Sequence, residues 1–489
     1  SIRIYERREI AGGRSRYQIV RQPKFNVRSE VLPKRRGDLM LLINGMPVIH
    51  IELKKSGVRA SEAYNQIEKY AREGVFTGLF SLVQVFVAMN PDESFYFANP
   101  GPSGEFNRAF RFHWADFNNE PKNDYRDVVH DLLSIPMAHQ LIGFYTVADA
   151  GDGALKVMRS YQYYAASAIS NRVAQHDWSK RDQLGGYIWH TTGSGKTMTS
   201  FKSAQLIADS GNADKVVFLM DRIELGTQSV REYRGFAGAG LTDEQRKQAV
   251  QDTENTAVLR KKLKSDDPAH ALIVTSIQKM SMVNEDDILS EKDLAAMQGK
   301  RIVFIIDECH RSTFGDMLAE IKRTFPGAMF FGFTGTPIYE ENNKSLSTTA
   351  MVFGDELHRY SIADGIRDGN VLGFDPYMVM TFKDADLRRM VGLERAKAQS
   401  EEEAFADPAK KTVYLRYLKD VPMAGYVGAD GAYVRGIEDY VSRSQYDNDG
   451  HRRAVVQDIV EGWTARSVGG RFHAMLATSS IAEAIEYYR

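Results

Sequence analysis

Two sets of residues in this 489-residue chain have the types and spacing to act on phosphates. The first is Asp38, Glu52 and Lys54. Two carboxylates facing each other repel, and one is driven toward its protonated form unless a cation lies between them. Oxygen ligands of this kind suit Mg²⁺, a hard cation that keeps several of its waters. Lys54, two residues beyond Glu52, would stand where charge develops on a phosphate under attack. The second set is "HTTGSGKT", residues 190 to 197. A phosphate-binding loop usually reads G-x-x-x-x-G-K-[ST], and His190 occupies the place of the leading glycine. Backbone N–H groups of Gly193, Ser194 and Gly195, with Thr192 beside them, can cradle phosphates at a helix N-terminus. Lys196 would reach the β- and γ-phosphates and Thr197 would ligate Mg²⁺. Roughly 110 residues later "RIVFIIDECH" ends an apolar run in Asp307 and Glu308. Asp307 can bind Mg²⁺ through water, and Glu308 can orient an attacking water.

These residues need particular elements to meet. "GDLMLLINGMPVIHIELKKSG" reads as two strands around Asn44-Gly45, a strong hairpin signal. Leu39, Leu41, Ile43, Ile49, Ile51 and Leu53 fall on one face, which is expected to be core. Asp38, His50, Glu52 and Lys54 fall on the other, which is free to carry chemistry. A strict two-residue turn pairs 43 with 46 and sets Asp38 against Ile51. A three-residue loop, or a two-residue turn plus one bulge, pairs 43 with 47 and sets Asp38 opposite Glu52. The second register is expected. The same three residues also fit the bare end of a hairpin. Beyond it, "SEAYNQIEKYAREG" is a helix with Gln66 and Tyr70 one turn apart on a face. Tyr64, Ile67 and Tyr70 could equally face a core. "GGYIWHTTGSGKTMTSFKSAQLIA" runs strand, loop, helix, the context a phosphate loop requires.

The spacing D-x13-E-x-K resembles the PD-(D/E)xK nuclease family, with Gly37 where that family often has proline. Some such nucleases carry Q-x-x-x-Y on the next helix, which implies that Gln66 and Tyr70 help hold DNA. The Asp-Glu-x-His form of residues 307 to 310 resembles superfamily 2 helicases and translocases, in which His310 would couple the nucleotide site to the DNA path. "RSYQYYAA" resembles that family's adenine-reading motif, with Gln162 as the contact. "FLMDRIELGTQ" and "IVTSIQKM" resemble motifs lining the DNA channel. "FTGTP" (Thr334, Gly335, Thr336) resembles the motif linking hydrolysis to DNA movement, and "LATSS" the first motif of a second RecA-like lobe. Taken in order, with "FGDELHRYSIADGIRDGNVLGFDP" after the first lobe, they resemble the restriction (R) subunit of type I restriction–modification enzymes. That resemblance implies ATP-driven translocation of unmethylated double-stranded DNA and cleavage far from the recognition site. It also implies assembly with methylation (M) and specificity (S) subunits. Relative to the family, the chain begins inside the nuclease domain and stops early in the second lobe. By themselves the 489 residues are expected to bind ATP at most weakly and not to translocate.

The fold class that follows is α/β. A PD-(D/E)xK nuclease domain over residues 1–147 precedes a RecA-like parallel-sheet lobe over 148–350 with the ATP site, and the start of a second lobe over 351–489. "TVADAGDGALK" is rich in Gly, Asp and Ala and reads as a connection. "DADLRRMVGLERAKAQSEEEAF" reads as exposed helix, and "RFHAMLATSSIAEAIEYYR" as strand, turn, helix. At 43% hydrophobic and 26% charged the composition is that of a globular chain. There is no apolar run of the ~18 residues a membrane helix needs. The single cysteine, Cys309, excludes an internal disulfide and a cysteine-built metal cage, and fits a cytoplasmic setting. Net charge is −1, yet residues 1 to 36 hold eleven Lys or Arg against Glu6, Glu9 and Glu30. Such a local excess attracts polyanions, although a solvated basic face reads the same way. Two rival readings are a helicase–nuclease of repair or another phage defence, and a catalytically inactive DNA-binding scaffold. Dependence on methylation subunits separates the first rival, and the intact Asp38, Glu52, Lys54, Lys196 and Asp307 speak against the second.

Overall fold

The computed structural model describes residues 15–25, 34–101, 105–149, 153–220, 256–284, 290–309, 315–338, 348–374, 383–427, 432–442 and 447–489. The chain forms two compact units, residues 1–373 and 374–489. The divisions expected at 147 and 350 therefore fall inside the first unit.

A mixed five-stranded sheet opens the first unit, in the order β1 (Tyr17–Arg21), β4 (Leu39–Ile43), β5 (Met46–Leu53), β6 (Val85–Met89), β7 (Ser94–Ala98), with a small β2 (Lys24–Phe25) and β3 (Arg35–Arg36) pair beside it. The β4–β5 turn is the two-residue Asn44-Gly45, both at positive φ, and pairs Ile43 with Met46. One register shift follows, because Leu42 faces Pro47 whereas Leu41 faces Ile49. Val48 is the extra residue, and Leu39 pairs with Ile51. Asp38 is thus brought level with Glu52 by turn plus bulge, as expected, although 43 pairs with 46 and not with 47.

The alternation needs correction on one point. The odd face is core, with Leu41, Ile43, Ile49 and Ile51 packed on Trp114, Val128 and Leu141. The even face is covered too: helix α1 (Ala60–Arg72) lays Ala63, Tyr64, Ile67 and Tyr70 against Met40, Phe86 and Ala88. A sheet covered on both faces buries its polar residues unless they pair. His50 and Glu52 are accordingly 0% exposed, while Leu53, on the expected core face, is 39% exposed at the strand end.

Helices α2 (Tyr125–Asp131) and α3 (Ile135–Gly143) lead to "TVADAGDGALK", which is a hairpin of β8 (Thr146–Asp149) and β9 (Ala154–Val157). Val157 and Met158, with Ala166 and Leu206 from farther on, join the apolar cluster of the first sheet. The two sheets share a core at that seam. After α4 (Ser160–Ala174) comes a six-stranded parallel sheet ordered β12 (Leu272–Ser276), β11 (Lys215–Met220), β13 (Ile302–Ile306), β14 (Met329–Thr334), β10 (Leu184–His190), β15 (Glu356–Tyr360). Helix α5 (Lys196–Ser210) follows β10. Near-continuous apolar strands are what a parallel sheet buried on both faces requires, and β11, β13 and β14 are buried at every position. Strand β15 lies beyond residue 350 yet pairs with β10, so the sheet continues past the expected boundary.

In the second unit, Asp384–Ala396 is helical as expected, but its Leu387 and Val391 are buried rather than exposed. "RFHAMLA" is not a strand: residues 471–478 pair with no strand among the described residues, and only the helix Ile481–Tyr488 of the expected strand–turn–helix is formed. A lone strand leaves its backbone groups without a ladder, so an apolar run takes β form only where a neighbour offers one.

Candidate active sites

Around Glu52 the side chains form a closed network. Glu52 Oε1 lies 2.9 Å from His50 Nε2, and its Oε2 accepts from Gln66 Nε2 at 2.8 Å. Gln66 Oε1 accepts from Lys54 Nζ, and the same amide nitrogen donates to the Tyr70 hydroxyl at 2.8 Å. Tyr70 passes its proton on to the carbonyl of Arg36 at 3.0 Å. Asp38 Oδ2 accepts from the Leu53 N–H at 2.8 Å, which fixes it across from the end of β5. Burial, with Asp38 alongside, pushes the Glu52 carboxyl up to about 9, against the pull of Lys54. Burial pulls His50 down to about 4, and its Nδ1 is enclosed without a partner.

Gly37 shows how tightly this is built. A Cβ there would stand 2.5 Å from His50 Cε1 and 3.2 Å from Glu52 Oε1, so a larger residue lacks space. Among the described residues no group of three or more His, Cys, Asp or Glu forms a metal cluster. The donor set still fits a hard divalent cation. It is two carboxylates at close quarters, one of them held neutral by its surroundings, and a cation between them would relieve both burial and repulsion.

Gln66 and Tyr70 are both held within this network. Gln66 ties Lys54 to Glu52, and the Tyr70 ring is buried among Phe25 and Ile67. His50 was visible on the even face, but nothing in the spacing gave it a role. Its signal is the alternation itself, since residues 50 and 52 share a face.

At the second site β10 feeds a loop into α5. Gly193 and Gly195 have φ of +84° and +78°, a region that other residues rarely enter. Ser194 N donates to the Thr191 carbonyl at 3.2 Å. Lys196 Nζ lies 3.5 Å from Glu308 Oε1, and Thr197 is the second residue of the helix. Asp307 and Glu308 leave the end of β13, where Glu308 takes φ +49° and its N–H is held by Asp307 Oδ1 at 3.0 Å. A strained backbone at this spot aims the Glu308 carboxylate at the loop lysine. Gly335 follows β14, and a Cβ on it would meet Lys196 Nζ and Thr192 Oγ1 at 3.3 Å each. Thr336 N donates to Thr334 Oγ1 at 3.0 Å, which shapes that turn. His310 lies outside the described residues, as do residues 221–228 of "FLMDRIELGTQ".

Gln162 is not free in this structure. Its amide nitrogen donates to the Ser194 carbonyl at 3.2 Å, and its Oε1 accepts from Arg159 N at 3.0 Å. A cavity of about 860 Å³ opens beside it, with Met198 and the loop glycines on one side and Phe106, Phe110 and Phe112 on the other. The Arg159 guanidinium lies 4.5 Å from the Phe112 ring centroid in that wall. His190 is fully buried, and its Nε2 is 3.0 Å from His358 Nδ1, while His358 Nε2 is 3.1 Å from the Phe117 carbonyl. A carbonyl only accepts, so His358 carries its proton on Nε2 and receives the proton of His190 on Nδ1. Burial holds His358 down at about 4 and His190 well below the usual imidazole range, so both rings are neutral. Among the described residues, no helix is long and apolar enough to cross a membrane.

Residues 161–405 match the SWI2/SNF2 ATPase family, and residues 8–105 match the type I restriction enzyme R protein N terminus. A type I restriction enzyme endonuclease subunit of Staphylococcus saprophyticus is 39% identical over 367 residues, 74% of this chain and 37% of that protein. One from Staphylococcus aureus is 38% identical over 370 residues, 75% of this chain and 37% of its own length. A putative endonuclease subunit of Methanocaldococcus jannaschii is 25% identical over 93% of this chain and 41% of its own. The chain therefore spans little more than a third of the two staphylococcal relatives. With a SWI2/SNF2 ATPase over half its length and the R-protein N terminus ahead of it, the chain belongs to the family of type I restriction enzyme R proteins.

Proposed function

We propose that this chain is the DNA-cleaving and motor portion of a type I restriction subunit, which moves unmethylated double-stranded DNA with ATP and cuts it with Mg²⁺ away from the recognition site. In this reading residues 1–147 are the nuclease, 148–350 with β15 added are the first motor lobe, and 351–489 begin the second. The observation that carries it is the meeting of Asp38, Glu52 and Lys54 through one bulge, in the same compact unit as Lys196 and Glu308.

Asp38 and Glu52 would hold Mg²⁺ in the front site. Bound there, the ion would supply Lewis-acid polarisation of a scissile phosphate. Lys54 neutralises charge on the phosphate oxygens, and Gln66 keeps that lysine beside Glu52. Gln66 and Tyr70 reach DNA only if this network opens. In the motor site the loop N–H groups and Lys196 bind the β- and γ-phosphates, and Thr197 and Asp307 would hold the nucleotide's Mg²⁺. Glu308 orients the attacking water, and the cavity along Gln162, Arg159 and Phe112 takes the base. His310, Thr334, Gly335 and Thr336 couple hydrolysis to movement of the duplex. Methylation and specificity subunits supply the choice of DNA, in a cytoplasmic complex.

The test is cleavage of circular DNA by the full-length protein, with and without companion methylation and specificity subunits, ATP and Mg²⁺. Cutting should require all four. Efficient cutting without the companion subunits would point to an independent helicase–nuclease instead.

A further inference from the structure

The phosphate loop is fastened from behind by residues outside its motif. Tyr161 is 3% exposed, and its hydroxyl donates to the Ser194 carbonyl at 2.7 Å. Its ring stacks on Tyr360 of β15, with centroids 3.7 Å and planes 17° apart. Tyr360 in turn donates to Asp368 at 2.8 Å and accepts from Asn370 Nδ2 at 2.6 Å. The chain then comes back to the loop, since a Cβ on Gly193 would touch Val371 at 3.7 Å and the Asn370 carbonyl at 3.8 Å. The contacts close a ring through Ser194, Tyr161, Tyr360, Asn370 and Gly193.

Strand β15 makes a second attachment. His358, two residues from Tyr360 and on the same face, receives the His190 proton at the root of the loop. The segment after the front sheet grips that strand from outside. Phe117 O binds His358, and Asn119 Nδ2 donates to the Arg359 carbonyl at 2.9 Å. Arg367 closes over Asn119 at 2.6 Å.

We propose that β15 is the template of the phosphate loop, and that Tyr161 and Tyr360 are positioning residues for ATP. The physical reason lies in one peptide plane. The Ser194–Gly195 unit is planar and trans, so its C=O and N–H point opposite ways. Tyr161 pulls the carbonyl backward, and the Gly195 N–H is thereby aimed forward to where a phosphate sits. This plane adjoins Gly195 at positive φ, which leaves it little intrinsic reason to hold one orientation. The stack on Tyr360 supplies the reason by fixing where the Tyr161 hydroxyl stands.

The proposal rests on the reading of this loop as an ATP site, and the experiment separates the two. In the full-length protein, ATP hydrolysis with DNA gives KM and kcat, and a fluorescent ATP analogue gives affinity. Tyr161→Phe removes the oxygen that binds Ser194 O and accepts from Arg159 at 2.9 Å, keeps the ring, and should raise KM and weaken the analogue about three- to tenfold, the worth of the Ser194 hydrogen bond, with kcat within about twofold. Tyr360→Leu should do the same by removing the stack, and Tyr360→Phe should change KM less. Unchanged KM and affinity in a folded Tyr161→Phe protein overturn the proposal, whether or not Tyr360→Leu folds. Lys196→Ala is the control: persistent nucleotide binding there would defeat the ATP reading itself.

Discussion

The two candidate sites of this chain hold their polar groups in opposite ways. In the front site the side chains hold one another. Glu52, His50, Gln66, Lys54 and Tyr70 form a network in which each is another's partner, on a sheet covered on both faces. In the motor site the backbone does the holding. Glycines at positive φ shape the loop, and side chains such as Tyr161 and Gln162 bind its carbonyls so that its N–H groups stay available. A mutually satisfied network is rigid but must open to admit a ligand, whereas a braced loop stands open from the start. The front site is therefore the one whose activity should depend on a rearrangement, and the motor site the one whose affinity should depend on its bracing.

The sharpest contrast comes from one substitution in each site. In the full-length protein Lys196→Ala should lower ATP hydrolysis by on the order of 10³-fold and cleavage with it, because in the proposed function ATP-driven movement precedes the cut. Asp38→Ala or Lys54→Ala should abolish cleavage and leave ATP hydrolysis within about twofold. Unchanged cleavage after either front-site change would mean that DNA is cut elsewhere.

Next in size is Gln66→Ala, which removes the link between Lys54 and Glu52. Cleavage should fall about 10- to 100-fold, the range for a residue that orients a metal ligand, with ATP hydrolysis unaffected. A larger loss of DNA binding than of cleavage rate would instead make Gln66 chiefly a DNA contact.

A smaller effect tests the crowding in the front network. Gly37→Ala puts a methyl 2.5 Å from His50 and should cost about 1–3 kcal/mol of stability, read as a lower melting temperature. An unshifted melting curve would show that the His50 ring moves aside freely.

The smallest concerns acid. His358 is neutral in the fold with its pKa lowered to about 4, while the unfolded chain takes up a proton below about 6.5. Stability is therefore complete above pH 6.5 and is lost as pH falls toward 4, about 1 kcal/mol at pH 6. Facing it are His190, itself uncharged, and Asp364, which opposes the shift. Melting temperatures across pH 5 to 7 should show the slope, and His358→Asn should reduce it by that residue's share, since His50 and His190 are lowered by burial as well.

How much of this was readable beforehand varies from residue to residue. Alternation around Asn44-Gly45 was enough to place Asp38 level with Glu52, because register in a hairpin has only two parities and only one lets the acids meet. The strand–loop–helix around Lys196 was equally legible, since apolar runs and a glycine-rich break are local signals. The covering of the even face by α1 was not, and so Glu52 was expected in the open. Nor was β15: nothing local says that residues 356–360 run beside residues 187–190.

Sequence by itself determined the local elements that present the candidate groups, because turn types, alternation and the phosphate loop are set by neighbours along the chain. Only the tertiary structure decided what those groups lean on. His190 pairs with His358, and Tyr161 with Tyr360, across 168 and about 200 residues of chain. Such partners come together through strand order in a parallel sheet, a property of packing that a linear reading of neighbours does not contain.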